Sequence, residues 1–296
     1  MRILVTGATG LIGSAFCEAA RGRGFEPVPV SRNKSEFNSW SPESGLPASL
    51  LDSAEAVVHL AGENIGAKRW SEQQKLQIVT SRQAGTSAIA ESIAAHGKHL
   101  KAFICASALG IYGDRGDELL DESSKPGKGF LAETTCAWEL AANPARNAGV
   151  RVVNARFGPV LSKHGGIIQR MLPFFNWYLG AKLGSGRQFM SWIGIHDAAN
   201  ALLTLVESGI YSGPVNVVSP NPVTNAEFTT EFAAILKRPV WLTLPEFVIK
   251  LLYGQMGEEL LLGSQKVSPA KLTSGGFQFT TVRVNEAIYA ALQQEN

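Results

Sequence analysis

The stretch MRILVTGATGLIG, residues 1–13, breaks an apolar run with three glycines at Gly7, Gly10 and Gly13, and it constrains the fold more than any other segment. Glycine is 30 of 296 residues, so such a triplet arises by chance at roughly one start in a thousand, and context supplies its meaning. It leaves a predicted strand directly, and Leu11, Ala15, Phe16 and Ala19 then follow at helical apolar spacing. The loop therefore sits at a strand-to-helix turn, where free N–H groups and the helix dipole attract a pyrophosphate. Glycines let the backbone approach the phosphates and let the helix pack on the strand. Thr9, Leu11 and Ile12 complete the cofactor-binding turn.

The next 150 residues keep a strand–helix rhythm. Strand-like runs at 3–6, 27–30, 56–60, 102–106 and 150–155 alternate with helical patterns near 12–22, 71–96 and 131–147. AVVHLAG and KAFICAS are apolar at successive positions, as strands covered on both faces are. The pattern predicts an α/β fold, a doubly wound parallel Rossmann sheet with helices on both faces. Beyond residue 160 the order changes, with helical runs near 196–208, 225–237 and 244–262, a short strand at 214–218, a further short strand after Gly275–Gly276, and a closing helix at 284–293. We therefore expect a nucleotide-binding domain over 1–160 and a smaller mixed α/β C-terminal lobe over 161–296, interleaved so that 189–218 returns to the sheet.

With 45% apolar and 18% charged residues, the chain has the composition of a soluble globular protein with a large core. No apolar stretch approaches the ~20 residues of a membrane span, and no basic leader with an apolar segment precedes the glycine-bearing strand, so the expected location is cytoplasmic. Cys17, Cys105 and Cys136 are far apart and lack CxxC spacing, which points to buried thiols rather than disulfides or zinc. His96 and His99 stand three apart without a third ligand, so no metal site is indicated. A formal charge of +2 without a Lys/Arg block gives no stripe for a nucleic acid, leaving small molecules as the expected partners.

About 20 residues after the glycines, an NAD-preferring site offers Asp or Glu to the ribose 2′-hydroxyl. Here the second strand runs out as PVPVSRN, ending in Ser31, Arg32 and Asn33. An Arg32 guanidinium suits a 2′-phosphate, so the sequence points to NADP(H).

With TGATGLIG, VVHLAG, RQAGTSAIAE, SALGIYG and GRQFMSWIGIHD in order, the chain resembles the extended short-chain dehydrogenase/reductases. GENI (62–65), KRW (68–70), MLPFF (171–175), GSGRQ (184–188) and the tail LLGSQKVSP…GFQF bring it nearer to their atypical branch, the epimerase-family proteins described as nucleoside-diphosphate-sugar epimerases. The resemblance spans the whole chain. It implies further cofactor contacts: the backbone of Leu60 and Ala61 along the adenosine, Gln77 and Arg82 on the following long helix, and Val160 near the nicotinamide carboxamide.

In catalytically active members a Tyr-x-x-x-Lys pair on the helix after the fifth strand works with a Ser or Thr. The corresponding helix here reads GFLAETTCAWEL; aligned on Glu139, the pair falls on Leu131 and Thr135, and the usual hydroxyl falls on Ala108. Tyr112 and the neighbouring Ser107 are the nearest substitutes, a candidate acid and a candidate ligand for a substrate oxygen. In the second lobe, Arg187 on a Gly-flanked loop is the candidate anion ligand, and Trp192 a candidate wall of the substrate cleft, alongside Trp70, Phe189, Lys68 and Arg69. His196 and Asp197 read as the structural start of a helix. Two functions are compatible: an NADP-dependent oxidoreductase or epimerase with its acid–base group drawn from elsewhere, or an NADP(H)-binding sensor without turnover. A homodimer is compatible with either.

Overall fold

In a computed structural model that describes residues 1–32 and 38–293, the strands needed to place the site are β1 (Arg2–Thr6), β2 (Glu26–Val30), β3 (Ala56–His59), β4 (Ala102–Ala108), β5 (Val152–Phe157), β6 (Ala181–Leu183), β7 (Gly213–Val217) and β8 (Leu242–Leu244). The helices are α1 (Leu11–Gly22), α2 (Glu72–His96), α3 (Phe130–Leu140), α4 (Gly166–Asn176), α5 (Ile195–Glu207), α6 (Asn225–Leu236), α7 (Glu246–Tyr253) and α8 (Val284–Gln293).

Six strands form one parallel sheet in the order β7-β5-β4-β3-β1-β2. β1 lies between β2 and β3, pairing in parallel with Thr6 opposite both Val30 and His59. Every residue of β3 is buried, which is why its sequence shows apolar residues without alternation. The chain passes from β1 to β2 on one side and returns to β3 on the other, so the loop after β1 sits where the strand order reverses.

Two compact units share the chain. The first comprises Met1–Ala108, Thr134–Arg156 and Ala199–Val215. Its core brings Leu4 and Val57 from the sheet together with Ile89 and Ile93 of α2, Phe103 of β4 and Trp138 of α3. The second comprises Leu109–Glu133, Phe157–Ala198 and Asn216–Asn296. Its core gathers Trp192, Phe175, Phe228, Phe232 and Ile288, with Phe175 and Phe232 edge to face at 4.8 Å. Residues 109–133, which the sequence groups with the first part, thus fall in the second unit, and only 199–215 of the returning segment joins the first.

Local sequence accounts for the element ends. Ser71 accepts the Gln74 N–H to start α2, and Thr224 with Glu227 forms a reciprocal capping box on α6. The single helix expected over 131–147 is two, because Pro144 cannot continue the ladder and starts a new turn over Asn143–Asn147. The run 244–262 also divides: α7 ends at Tyr253, with Gly254 as its C-cap, and residues 257–262 form a wide π-helical turn. The expected strand after Gly276 is absent; Thr280 and Thr281 give their backbone N–H groups to the Asp197 carboxylate (2.9 and 3.1 Å) instead of to a ladder. Cys17 and Cys105 are buried as expected, whereas Cys136 is only half-buried.

Candidate functional site

The turn between β1 and α1 is built around close approach. Gly7 adopts a left-handed φ of 71°, and a Cβ there would lie 2.8 Å from Leu60 C and Ala61 N. The loop thus rests on the peptide that follows β3. A Cβ on buried Gly13 would overlap the Gly7 carbonyl oxygen. Gly10, exposed and extended, is the N-cap of α1, with no side-chain cap and no acidic residue in the first turn. The first N–H groups of an α-helix lack intrahelical partners. Thr9 is exposed beside them, and Leu11 and Ile12 are half-buried. An anion placed there meets a positive dipole end with no competing carboxylate in the first turn of the helix.

The strand beneath this loop holds a buried polar pair. Thr6 Oγ1 and His59 Nδ1 lie 2.6 Å apart, on adjacent strands, and the Trp40 ring meets the imidazole edge to face at 5.5 Å. Full burial pulls the His59 pKa down to about 3, so the ring is neutral at ordinary pH.

Beyond β2, Ser31 is half-buried, its N–H donated to Asn38 O (2.9 Å) and its carbonyl accepting from Trp40 N. Arg32 is exposed, and no described carboxylate reaches it within ion-pair distance. Asn33 lies outside the described residues. Leu60 and Ala61 are half-buried, with Leu60 N–H bonded to Thr6 O at 3.1 Å.

On α2 the two expected cofactor residues differ. Gln77 is exposed. Arg82 is half-buried, its guanidinium 4.9 Å from the centroid of the Trp138 ring and 3.2 Å from the carbonyl of Ile78, which accepts from Nη1. Desolvation lowers its pKa to about 10, opposed by the charge of Glu63, and it remains a cation. The loop from Leu60 to Glu63 is tied to α2 by Glu63 N to Ser81 Oγ (3.2 Å) and by Gln74 Nε2 to Glu63 Oε1 (3.2 Å). Arg82 is therefore a cation fixed against an aromatic face rather than the partner of a surface ion pair.

Where the resemblance leads one to look for a catalytic set, the first unit carries a buried ion pair. Arg156 on β5 grips Glu139 of α3 with two bonds, Nε to Oε1 at 2.7 Å and Nη2 to Oε2 at 2.9 Å. Ser107, near the end of β4, donates to the same Oε1 at 2.6 Å. Neither Glu139 nor Arg156 stood out as functional in the sequence. The available signal was a lone cation in the strand VVNARF, whose other residues are uncharged, since a charge on a buried strand must be paired.

Two expected site residues belong to the interior of the second unit. Tyr112 is fully buried, and its hydroxyl lies 2.9 Å from Asp121 O and 2.8 Å from Asn216 Oδ1. A phenol held this way anchors a loop, and its full burial weighs against its reading as an acid. Trp192 is likewise fully buried within the aromatic core, its Nε1–H donated to Asn221 O at 3.1 Å. It fills the core and lines no cleft. Trp70 is buried as well, donating to Ile65 O at 2.7 Å. Arg187, Lys68 and Arg69 are exposed, and Arg187 stands on the Gly184–Gly186 loop. Val160 is buried in a two-residue strand paired with Ile193–Gly194. Asp197 takes all four N–H and O–H groups of Thr280 and Thr281, the structural part expected of it.

The second unit also encloses a cavity of about 380 Å³ beside the amino end of α3, reached by Lys128, Leu131, Glu246, Lys250 and Glu259. Glu259, on the π-helical turn, accepts Phe130 N–H (3.1 Å) and Leu131 N–H (2.8 Å), so a carboxylate of the chain itself caps α3. No group of three His, Cys, Asp or Glu side chains suited to a metal occurs among the described residues, and none of the described helices is long and apolar enough to cross a membrane.

Comparison with known proteins agrees with this architecture. Residues 3–217 match the NAD dependent epimerase/dehydratase family, and residues 244–291 match a domain of unknown function. An epimerase family protein of Mycobacterium leprae is 40% identical over 290 residues, covering 97% of this chain and 94% of the relative. The crystal structure of human epimerase family protein SDR39U1 (isoform 2) with NADPH superposes with a TM-score of 0.91 at 34% identity, over 99% of this chain and 100% of the human one. A nucleoside-diphosphate sugar epimerase from Corynebacterium glutamicum gives a TM-score of 0.82 at 33% identity, over 99% of this chain and 58% of that longer one.

Proposed function

The chain belongs to the NAD dependent epimerase/dehydratase family, and from that premise we propose that it binds NADP(H) across the amino end of α1 and acts as an epimerase-like oxidoreductase on a small carbonyl or sugar-nucleotide substrate. One observation carries the binding half: an uncapped helix start without carboxylates, on a glycine loop pressed against Leu60–Ala61. The human relative crystallised with NADPH supports the choice of nucleotide. Arg32, exposed and free of described carboxylates, would take the 2′-phosphate, and Arg82 on the Trp138 face would stand as a second cation toward the pyrophosphate. Gln77 and the backbone of Leu60 and Ala61 would line the adenosine side. When bound, the nicotinamide supplies a hydride donor or acceptor.

The chain's own contribution to proton handling is narrow. Ser107 has one O–H, and Glu139 holds it, so toward substrate the hydroxyl can only accept. Arg187 remains the candidate for a substrate anion. A second reading, an NADP(H)-binding sensor without turnover, is favoured by the burial of Tyr112 and the commitment of Ser107; differential affinity between two conformations is enough for such a role.

Thermal melting with NADPH, NADP, NADH and NAD tests the binding half. A ligand at 100 times its dissociation constant stabilises by about 2.7 kcal/mol; we expect the phosphorylated pair to shift melting most and Arg32→Ala to erase that preference. Equal shifts with NAD and NADP would remove Arg32 from its role. Incubation with labelled NADPH and a panel of carbonyl compounds and nucleotide sugars separates the readings: transfer of label supports turnover, and its absence across the panel, with a partner captured only in the NADPH-loaded state, supports the sensor.

A further inference from the structure

The cavity beside the amino end of α3 lies wholly within the second unit, and its walls carry four carboxylates, Asp114, Glu246, Glu258 and Glu259, against two lysines, Lys128 and Lys250. Lys250 is held by Glu258 at 3.1 Å. Among the described residues, no cation reaches Glu246 within ion-pair distance and no carboxylate reaches Lys128. Asp114 commits only Oδ1, which accepts Gly116 N–H at 3.2 Å and Ser264 N–H at 3.1 Å. The feature best suited to a phosphate, the amino end of α3, is already filled by the chain's own Glu259. Its Oε1 accepts Phe130 N–H (3.1 Å) and Gln255 Nε2–H (2.7 Å), and its Oε2 accepts Leu131 N–H (2.8 Å). Gly129 makes room for this cap: it has a φ of 107°, and a Cβ there would lie 3.2 Å from the Glu259 carboxyl. Glu259 itself rides on the π-helical turn 257–262, a rare geometry that recurs at functional sites.

Resting on the reading of the chain as acting on a small carbonyl or sugar compound, we infer that this cavity selects a hydroxylated carbonyl compound carrying a protonated amine, of the amino-sugar class, and that Glu259 excludes phosphate-bearing ligands, nucleotide sugars included. A cleft whose walls carry an excess of one sign concentrates ligands of the other. The ammonium has Glu246 and the second oxygen of Asp114 as acceptors, while Lys128 and the amide of Gln265, also in the wall, serve hydroxyl and carbonyl oxygens. A diphosphate would face the same carboxylates with Lys128 as its one uncommitted cation, and it would find the N–H groups of α3 already taken. Discrimination of this kind rests as much on repulsion of the wrong ligand as on attraction of the right one. Size points the same way. At about 380 Å³ the cavity stands near the lower end of the roughly 300–1,000 Å³ typical of ligand sites, which suits a single sugar ring better than a ring joined to a nucleotide.

Calorimetric titration of the full chain at neutral pH, with NADPH saturating so that the glycine loop is occupied, tests the proposal with glucosamine, glucose, UDP-glucose and inorganic phosphate. We expect glucosamine to bind about five-fold tighter than glucose, and UDP-glucose and phosphate to give no binding. Glu246→Gln, at an exposed position, should bring glucosamine within about two-fold of glucose and leave glucose unchanged. Glu259→Gln should admit phosphate. Should that variant misfold, salt decides on the native chain: added sodium chloride should weaken glucosamine and leave glucose unaffected. UDP-glucose or phosphate binding as tightly as glucosamine, equal affinities for glucosamine and glucose, no binding of any of the four, or a folded Glu259→Gln chain that still rejects phosphate would each overturn the inference. The NADPH melting shift keeps the two readings apart. If the shift is absent and glucosamine still binds selectively, the cofactor reading fails and the cavity's preference stands; if the shift is present and UDP-glucose binds, the reverse holds.

Discussion

Ser107 Oγ donates to Glu139 Oε1 across 2.6 Å, and the same oxygen accepts Arg156 Nε at 2.7 Å. A serine read as a free ligand for substrate is therefore one arm of a three-residue polar network joining β4, α3 and β5. Glu139 and Arg156 are nearly enclosed, with 12% and 7% of their side chains exposed, so little water is available to either charge if its partner is removed.

This enclosure sets the cost of breaking the pair. Removing one partner of a buried ion pair typically costs 3–5 kcal/mol, because the other charge is left unpaired. We expect Glu139→Ala to lower the urea midpoint accordingly with the slope unchanged, and a Glu139→Leu/Arg156→Met double substitution to recover most of the loss. Ser107→Ala removes a hydrogen bond to a charged group and should cost about 1.5–3 kcal/mol at most. A Glu139→Ala loss below about 1 kcal/mol would mean the network is solvated rather than buried.

Tyr112→Phe separates an anchoring phenol from a catalytic one. Removing the hydroxyl strips one partner from both Asp121 O and Asn216 Oδ1 in a fully buried setting, and an unsatisfied buried polar group costs about 1–3 kcal/mol. Stability should fall by that amount. Cofactor affinity, and any hydride transfer found with the labelled nucleotide, should stay within about two-fold of the native chain, since a lost general acid typically costs 10²–10⁴ in rate. A large rate loss at unchanged stability would restore Tyr112 to the chemistry.

The first unit was legible because its signals are local. The Gly7–Gly10–Gly13 spacing, the uninterrupted burial of AVVH and the positions of α1 and α2 follow from periodicity and backbone sterics within a short window. The side-chain roles were not, because they depend on what the fold brings from far along the chain. Tyr112 meets Asn216 across 104 positions, Trp192 meets Asn221 and the α6 phenylalanines, and Asp197 meets Thr280 and Thr281. An aromatic residue near glycine-rich turns reads the same from sequence whether it lines a cleft or fills a core. Glu139 served in the sequence only to align its helix, and its role as a buried partner was hidden for the complementary reason: Ser107 and Arg156 lie on two different strands.

The His59 imidazole gives the stability a pH dependence of definite sign. Its folded pKa is near 3 against an ordinary value of 6.5, owing to burial. The unfolded chain takes up a proton below pH 6.5 that the folded chain refuses, so the contribution is complete above that pH and lost as pH falls toward 3. The slope contributed approaches about 1.4 kcal/mol per pH unit in the middle of that window. Melting temperatures measured from pH 7 to pH 4 should fall more steeply for the native chain than for His59→Asn, which cannot titrate. Parallel curves would show that His59 takes up its proton in the folded state as well.

Gly13→Ala tests whether the close approach beneath α1 serves the nucleotide site or only the packing. The added Cβ would meet the Gly7 carbonyl and lie 2.9 Å from Ala8 Cα, both backbone groups that cannot rotate away. The first turn of α1 must then lift from the loop, a strain of about 1–3 kcal/mol. Because the free N–H groups of Leu11, Ile12 and residue 13 move with that turn, the effect on nucleotide binding should exceed the effect on stability. We expect the melting shift given by saturating NADPH to fall to less than half its native value, while Gly24→Ala, at a positive-φ turn with open space around it, lowers stability and leaves the NADPH shift intact. An undiminished shift in Gly13→Ala would place the dinucleotide somewhere other than the amino end of α1.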